Sequence, residues 1–338
     1  MVLEIGLVIN KKLMIDLSEF TEFNVINNIV FGGAGFLGSH LIDKLLKDGQ
    51  NVLCIDNLSS GNLNNIKHLN KNKKFLFIKH DILEPINSTI LIEKIWHLAS
   101  PASPNLYQND PIRTIRVNYE GTFNLLELAK SHNSKILFAS TSEIYGETKN
   151  FSQEENMPVN LSTFSPRACY AEGKRIAETL MNLYRKKYNL EIRIARIFNT
   201  YGPRLNINDG RVISNFIKQC LIGDKLTIYG DGTQTRSFCY VSDLIEGLLE
   251  LMKTNYYYPI NIGNEEEISI IELAELIKTK INKEMIPEFR ELPLNDPQRR
   301  RPCLNKAKKY LNWSPQIPLT DGLNETIISY KDTLESKH

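Results

Sequence analysis

The sequence is short of cysteine and of net charge, and each shortage excludes something. Cys54, Cys169, Cys220, Cys239 and Cys303 are odd in number, widely spaced and form no C-x-x-C. That excludes a disulfide framework or a zinc knuckle and fits a reducing cytoplasm. Lys and Arg number 41 against 39 Asp and Glu, a net charge of +2, so no global field draws the chain to nucleic acid or an anionic membrane. Any basic site must be local. The six histidines form no H-x-x-x-H pair and none stands at ligand spacing from a carboxylate, so no metal is expected. Residues 1–28 interrupt their apolar stretches with Lys11, Lys12, Asp16 and Glu19, too much charge for a signal peptide or a membrane span. Residues 1–27 read as an N-terminal extension of unknown role, an edge element or a frayed tail.

What is present is the composition of a soluble globular chain with a large core: 42% hydrophobic and 24% charged residues. Short apolar runs alternate with segments of helical period. Strands are expected at "NIVFG", "NVLCID", "KFLFI", "KIWHLA", "KILFAS" and "EIRIARI", and helices over 36–48, 60–69, 111–132 and 168–189. This alternation predicts an α/β fold, a Rossmann-type doubly wound parallel sheet over 28–200 with ligands at the carboxyl ends of its strands. From 201 to 338 the rhythm loosens into Gly-, Pro- and Asn-rich loops, which suggests a smaller C-terminal α/β substrate domain, part of 237–262 returning to the first. The tyrosines of "NYYYP" read as a surface loop.

Gly32, Gly35 and Gly38, with Gly33 in a G-x-G-x-x-G register, stand between the first strand and the first helix. Asp56 ends the second strand about 20 residues on, where the ribose hydroxyls of a dinucleotide require it. No Lys or Arg follows Asp56 until Lys67, so a 2′-phosphate has no counter-charge nearby and NAD is favoured over NADP. Asp81, at the end of the third strand, is read equally as an adenine contact or a turn cap.

The stretch "FASTSEIYG" ends an apolar strand in Ser140, Thr141, Ser142 and Glu143, groups that are costly to bury unless used. Two Tyr-x-x-x-Lys pairs follow. Tyr145 and Lys149 fall in a loop, whereas Tyr170 opens a helical segment that brings Lys174 onto the same face one turn later. A lysine ammonium at that position and the positive nicotinamide both favour the phenolate, making Tyr170 a proton acceptor for an alcohol under oxidation, with Thr141 on the same hydroxyl. Cys169 and His97 read as packing residues.

Together "GGAGFLG", Thr141 with Tyr170-x-x-x-Lys174, and "FNTYGPR" resemble the extended short-chain dehydrogenase/reductase family that acts on nucleotide sugars. "HLASPASP", "STSEIYG", "PRACYAEGKR", "NDGRVISNFI" and "YGDGTQTRSFCYVSDL" resemble its UDP-glucuronate decarboxylase branch, from about residue 28 to about 335. The resemblance implies a homodimer joined through helices 111–132 and 168–189, and NAD-dependent oxidation at C4, loss of CO2 and re-reduction to UDP-xylose. It implies catalytic roles for Thr141, Glu143, Tyr170 and Lys174. Cofactor contacts are implied at Gly32, Gly35, Phe36, Leu37, Gly38, Asp56, Asn57, Ser59, Gly61, Asp81, Ile82, Leu98, Ser100, Ala139, Tyr170, Lys174, Thr200 and Arg211. Substrate contacts are implied at Ser142, Glu143, Asn199, Arg211, Tyr229, Gln234, Arg236 and Arg300, the last in a loop between Pro297 and Pro302.

Three residues depart from the family pattern: Phe31, Ala171 and Cys303 stand where Thr, Asp and Asp are usual. The rivals in the same family are a nucleotide-sugar 4-epimerase, which usually lacks a carboxylate at position 143, and a 4,6-dehydratase, which has Asp where this chain has Ser142. A rival of another class is an NAD-sensing module without turnover, which would not need the Tyr170/Lys174 pair. UDP-galacturonate stands as an alternative substrate. An N-terminal membrane span, known in anchored relatives, is not expected.

Overall fold

A computed structural model describes residues 15–146, 152–292 and 298–335. Lys149, Pro297 and residues 1–14 lie outside the described residues. Seven strands rich in β-branched and aliphatic residues form one parallel sheet: β1 (Val25–Phe31), β2 (Val52–Asp56), β3 (Phe75–Lys79), β4 (Leu91–His97), β5 (Lys135–Thr141), β6 (Ile192–Ile197) and β7 (Ile260–Ile262). Their spatial order is β7-β6-β5-β4-β1-β2-β3, so the winding reverses between β1 and β4. A crevice opens outside the strand ends at such a reversal.

Successive side chains of a strand face opposite ways, and β1 shows the consequence. Val30 joins the core that α1 (Phe36–Lys47) and α6 (Val241–Lys253) cover, while Ile29 and Phe31 join the one under α3 (Thr122–His132) and α4 (Ala168–Tyr188). Inner strands such as β2 are therefore buried on both faces, as their continuous apolar runs require. A third cluster, with Phe216 of α5 (Val212–Ile222), Ile228, Leu273 and Ile327, holds the second half together.

Some local expectations change. Residues 60–69 are two short turns, Leu63–Asn65 and Lys67–Leu69, rather than a helix. The Asn62 side chain accepts from Asn64 N–H, and Asn65 Nδ2 donates to Ala34 O in the glycine turn. These local side-chain bonds compete with a helical ladder. The 111–132 helix is real but broken by a π-turn at Val117–Gly121 between α2 (Pro111–Arg116) and α3. Arg299–Arg300 is a strand rather than a loop, paired in parallel with Thr235 and Arg236. Ile15–Asp16 pairs with Ile86–Asn87, an edge element outside the main sheet. Among the described residues no helix is long and apolar enough to cross a membrane.

Candidate active site

A cavity of about 950 Å³ opens at the carboxyl ends of β1, β2, β4 and β5. At one end lies the glycine turn. Gly32 has φ +79°, and a Cβ on Gly38 would stand 2.2 Å from Gly32 O, so the helix can reach the turn only if residue 38 is glycine. Gly35 is the N-cap of α1 and has no side-chain cap, so the first amides of the helix remain available to an anion. Asp56 accepts hydrogen bonds from Ala34 N–H at 3.0 Å and Leu58 N–H at 2.8 Å. Burial raises its pKa while these bonds oppose the rise. Gly61 packs on the same carboxylate, where a Cβ would come within 2.8 Å. These features fit a dinucleotide: a pyrophosphate cradle, a ribose acceptor and an elongated cavity joining them.

At the other end β5 delivers its polar terminus. Thr141 is buried, accepts from Glu143 N–H at 3.2 Å and caps the turn Ser142–Tyr145, so it both ends the strand and lines the cavity. Tyr170 and Lys174 project from the first turns of α4 onto the same wall. Close packing of α4 brings them there, since a Cβ on Gly173 would stand 3.1 Å from Asn118 in the π-turn. Asn118 is fully buried; it donates to Thr114 O and accepts from Ser100.

Without a bound cofactor, burial dominates the electrostatics of the pair. Tyr170 is raised: burial is the main cause and Glu143 adds to it, while Arg211 and a hydrogen bond with Thr141 oppose. Burial likewise pulls the pKa of Lys174 down to about 7 against the pull of Glu178. Its ammonium donates to Ala139 O at 2.7 Å and lies 5.8 Å from the centre of the Tyr170 ring. In a dry pocket the desolvation of each charged form outweighs the partner's field.

Most residues expected at the site line this cavity: Gly32, Gly35, Phe36, Leu37, Gly38, Asp56, Asn57, Ser59, Ile82, Leu98, Ser100, Ala139, Thr141, Ser142, Glu143, Tyr170, Lys174, Asn199, Thr200, Arg211 and Arg300. Asp81 stands behind the wall. Burial resists its ionisation, but bonds from Leu83 N–H, Asn57 and Arg113 hold its carboxyl below the usual range. It is a turn cap and an ion-pair partner. Tyr229, Gln234 and Arg236 are outside the lining: Gln234 donates to Tyr229 O at 2.7 Å, and Arg236 donates to Thr235 O at 2.8 Å beside Arg300 in the strand pair. Arg299 and Arg301 pair with Glu267. Arg300 therefore reaches the cavity while its sequence neighbours do not, and its Nε has no hydrogen-bond partner among the described residues.

Sequence reasoning passed over Tyr107. This fully buried phenol stacks on Tyr170 at 5.0 Å and 3° and donates to Glu143 at 3.3 Å. Neither the pattern "SPNLYQND" nor its spacing signals that contact. Cys169 donates its thiol to Tyr107 O and burial raises its pKa, as suits a packing residue. Buried His97, bonded to Thr122 at 2.9 Å, is held well below its usual pKa by burial and by Lys174. Tyr145, the other tyrosine with a following lysine, donates to Asn261 at 2.6 Å in the core.

The GDP-mannose 4,6 dehydratase family matches residues 29–326. UDP-glucuronic acid decarboxylase 1 of Danio rerio is 48% identical over 91% of this chain and 73% of its own length. UDP-glucuronic acid decarboxylase 3 of Arabidopsis thaliana is 49% identical over 90% of this chain and 89% of its own. Among solved structures, the UDP-glucuronic acid 4-epimerase of Bacillus cereus in complex with UDP-glucuronic acid and NAD superposes with a TM-score of 0.81 at 31% identity, covering 91% of this chain and 99% of that one. With a dinucleotide cradle at one end of its cavity and Thr141, Glu143, Tyr170 and Lys174 at the other, the chain belongs to the GDP-mannose 4,6 dehydratase family of extended short-chain dehydrogenases/reductases.

Proposed function

We propose that this chain is an NAD-dependent UDP-glucuronate decarboxylase that forms UDP-xylose. The observation that carries the reading is the meeting of Thr141, Glu143 and Tyr170 on one wall of the cavity, with Ser142 rather than an acid beside Glu143. Bound NAD would supply a reversible hydride acceptor for C4 of the sugar. Gly32, Gly35 and Gly38 would receive its pyrophosphate, and Asp56 its adenosine ribose.

The chain's own residues supply the rest. Thr141 orients the C4 oxygen, and the Tyr170 phenol oxygen takes the proton of the C4 hydroxyl and later returns it to that oxygen. Bound nicotinamide adds the positive charge that the raised pKa of Tyr170 calls for. A ketone at C4 is β to the C5 carboxylate and accepts the electron pair that CO2 leaves behind. Glu143 acts near C5, where its negative charge destabilises the substrate carboxylate or guides reprotonation. Arg211 and Arg300 suit the substrate diphosphate, as guanidinium forks do.

Purified protein given UDP-glucuronate should release CO2 and UDP-xylose without added reductant. A C4 epimer with no gas would replace this reading with the epimerase one, and NAD binding without turnover would replace it with the sensing module.

Three finer points belong to the same proposal. Residues 28–200 with the returning strand β7 act as the NAD-binding half, and most of 201–338 as the sugar-nucleotide half. A second copy covers the exposed apolar residues Ile112, Ile115 and Phe123 on one helical segment and Ile176 and Leu183 on α4, giving a four-helix contact. Sedimentation at micromolar concentration should read a dimer. Five free cysteines suit the cytoplasm.

A further inference from the structure

Of the ion pairs among the described residues, Arg196 with Glu178 is the one in which both side chains are nearly buried, at 11% and 12% exposure. Arg196 on β6 donates from Nε to one oxygen of Glu178 at 3.0 Å and from Nη2 to the other at 2.8 Å. Ser140 on β5 donates to the first of these oxygens at 2.6 Å. Glu178 stands on α4 one turn beyond Lys174. Consecutive residues of β5 thus hold both side chains: the Ala139 carbonyl holds the Lys174 ammonium, and the Ser140 hydroxyl holds the Glu178 carboxylate.

A buried ion pair is a poor way to gain stability, because desolvation cancels much of the attraction and apolar residues pack as well. Its retention beside a buried lysine calls for another reason. The charged or titratable groups around Lys174 are few. Its own helix contributes Tyr170 and Glu178, β4 contributes His97, and β6 contributes Arg196 through Glu178. From β5 it meets Phe138 and Ala139, which carry no charge. Tyr170 is neutral below its raised pKa and His97 is neutral through burial, so Glu178 is the one available negative charge.

We propose that Glu178 is a positioning residue that keeps Lys174 protonated and fixed beneath Tyr170 during the reaction, with Arg196 and Ser140 locking the carboxylate in place. Burial draws the lysine toward neutrality and Glu178 opposes it. The inference rests on the proposed function, since it concerns the charge beside the proton-transferring phenol.

The test compares E178Q, E178D and the double variant E178Q/R196Q with the unaltered protein, each loaded with NAD. The Lys174 titration is followed by NMR of 13Cε-labelled lysine, with K174R assigning the resonance. The alkaline limb of nicotinamide reduction by UDP-glucuronate is recorded alongside. In E178Q the lysine pKa and the limb should both fall by about one unit or more, since a nearby opposite charge is worth ~1–3 units. The double variant, which also removes the unpaired guanidinium, should move both less, and E178D should restore them in part.

A merely structural pair would lower the melting temperature and the rate at every pH while leaving the titration in place, and that result overturns the proposal. If E178Q does not fold, the double variant decides by the same criterion. An unaltered protein that releases no CO2 refutes the function but leaves the lysine titration to judge this inference.

Discussion

At one end of the cavity the protein presents backbone, whereas at the other it presents long side chains held by contacts with distant parts of the chain. Gly32, Gly35 and the start of α1 form their cradle from residues adjacent in sequence, and Gly38 is needed there by a clash of atoms. The sugar end depends on Arg211, bonded to Ala102 O and paired with Asp209, and on Arg300, which faces the cavity only because its strand pairs with Thr235 and Arg236. A site of backbone is written locally, and Gly32 and Gly38 are the positions where a side chain fits worst. A site of paired side chains is assembled across the fold, and its members differ in worth although they share a residue type.

That contrast can be broken or sharpened by substitution. Where the two ends meet, Tyr170→Phe removes the proton acceptor, so nicotinamide reduction by UDP-glucuronate should fall by roughly 10²–10⁴-fold, read by stopped-flow absorbance, with NAD still bound. Glu143→Gln should slow CO2 release by ~10²-fold while initial nicotinamide reduction changes far less. Equal slowing of both steps would remove the repulsive role given to Glu143.

At the backbone end, Gly38→Ala places a methyl 2.2 Å from Gly32 O. NAD affinity measured by calorimetry should fall by about tenfold or more, the equivalent of ~1.4 kcal/mol. At the side-chain end, Arg300→Met should raise KM for UDP-glucuronate by about tenfold, whereas Arg299→Met, which breaks the part-exposed pair with Glu267, should change it by less than about twofold. If Arg299→Met were as damaging as Arg300→Met, the claim that strand pairing selects the working arginine would fail.

A separate effect is expected on stability without NAD. Lys174 titrates near 7 when folded against 10.5 unfolded, so between these values the unfolded chain binds more protons. Stability therefore rises with pH across that window, and the penalty of burying the charge is full below it. Lys174→Met should raise the melting temperature more at pH 6 than at pH 9. A constant difference would mean that the lysine does not titrate in that range.

Much of this was legible in order along the chain. The strands, the glycine turn and the placing of Tyr170 with Lys174 on one helix follow from periodicity and spacing, and Tyr145 was separable from Tyr170 by its loop setting. Residues 60–69 misled because asparagine side chains compete with the helix by bonding to nearby backbone, one of them to the glycine turn itself. Tyr107 was invisible because its partners Glu143 and Tyr170 come from other elements. Glu178 left a faint signal, a carboxylate one turn beyond the lysine on the same helix, but not the Arg196 and Ser140 contacts that give it meaning.

The sequence by itself determined the doubly wound sheet, the dinucleotide turn and the residue types of the proton-transfer pair, because each depends on neighbours a few positions apart. Only the tertiary structure decided how burial shifts that pair and which arginine faces the cavity. Desolvation and ion pairing depend on what other strands and helices bring alongside, and for Lys174 and Tyr170 burial outweighed the local field that spacing alone would favour.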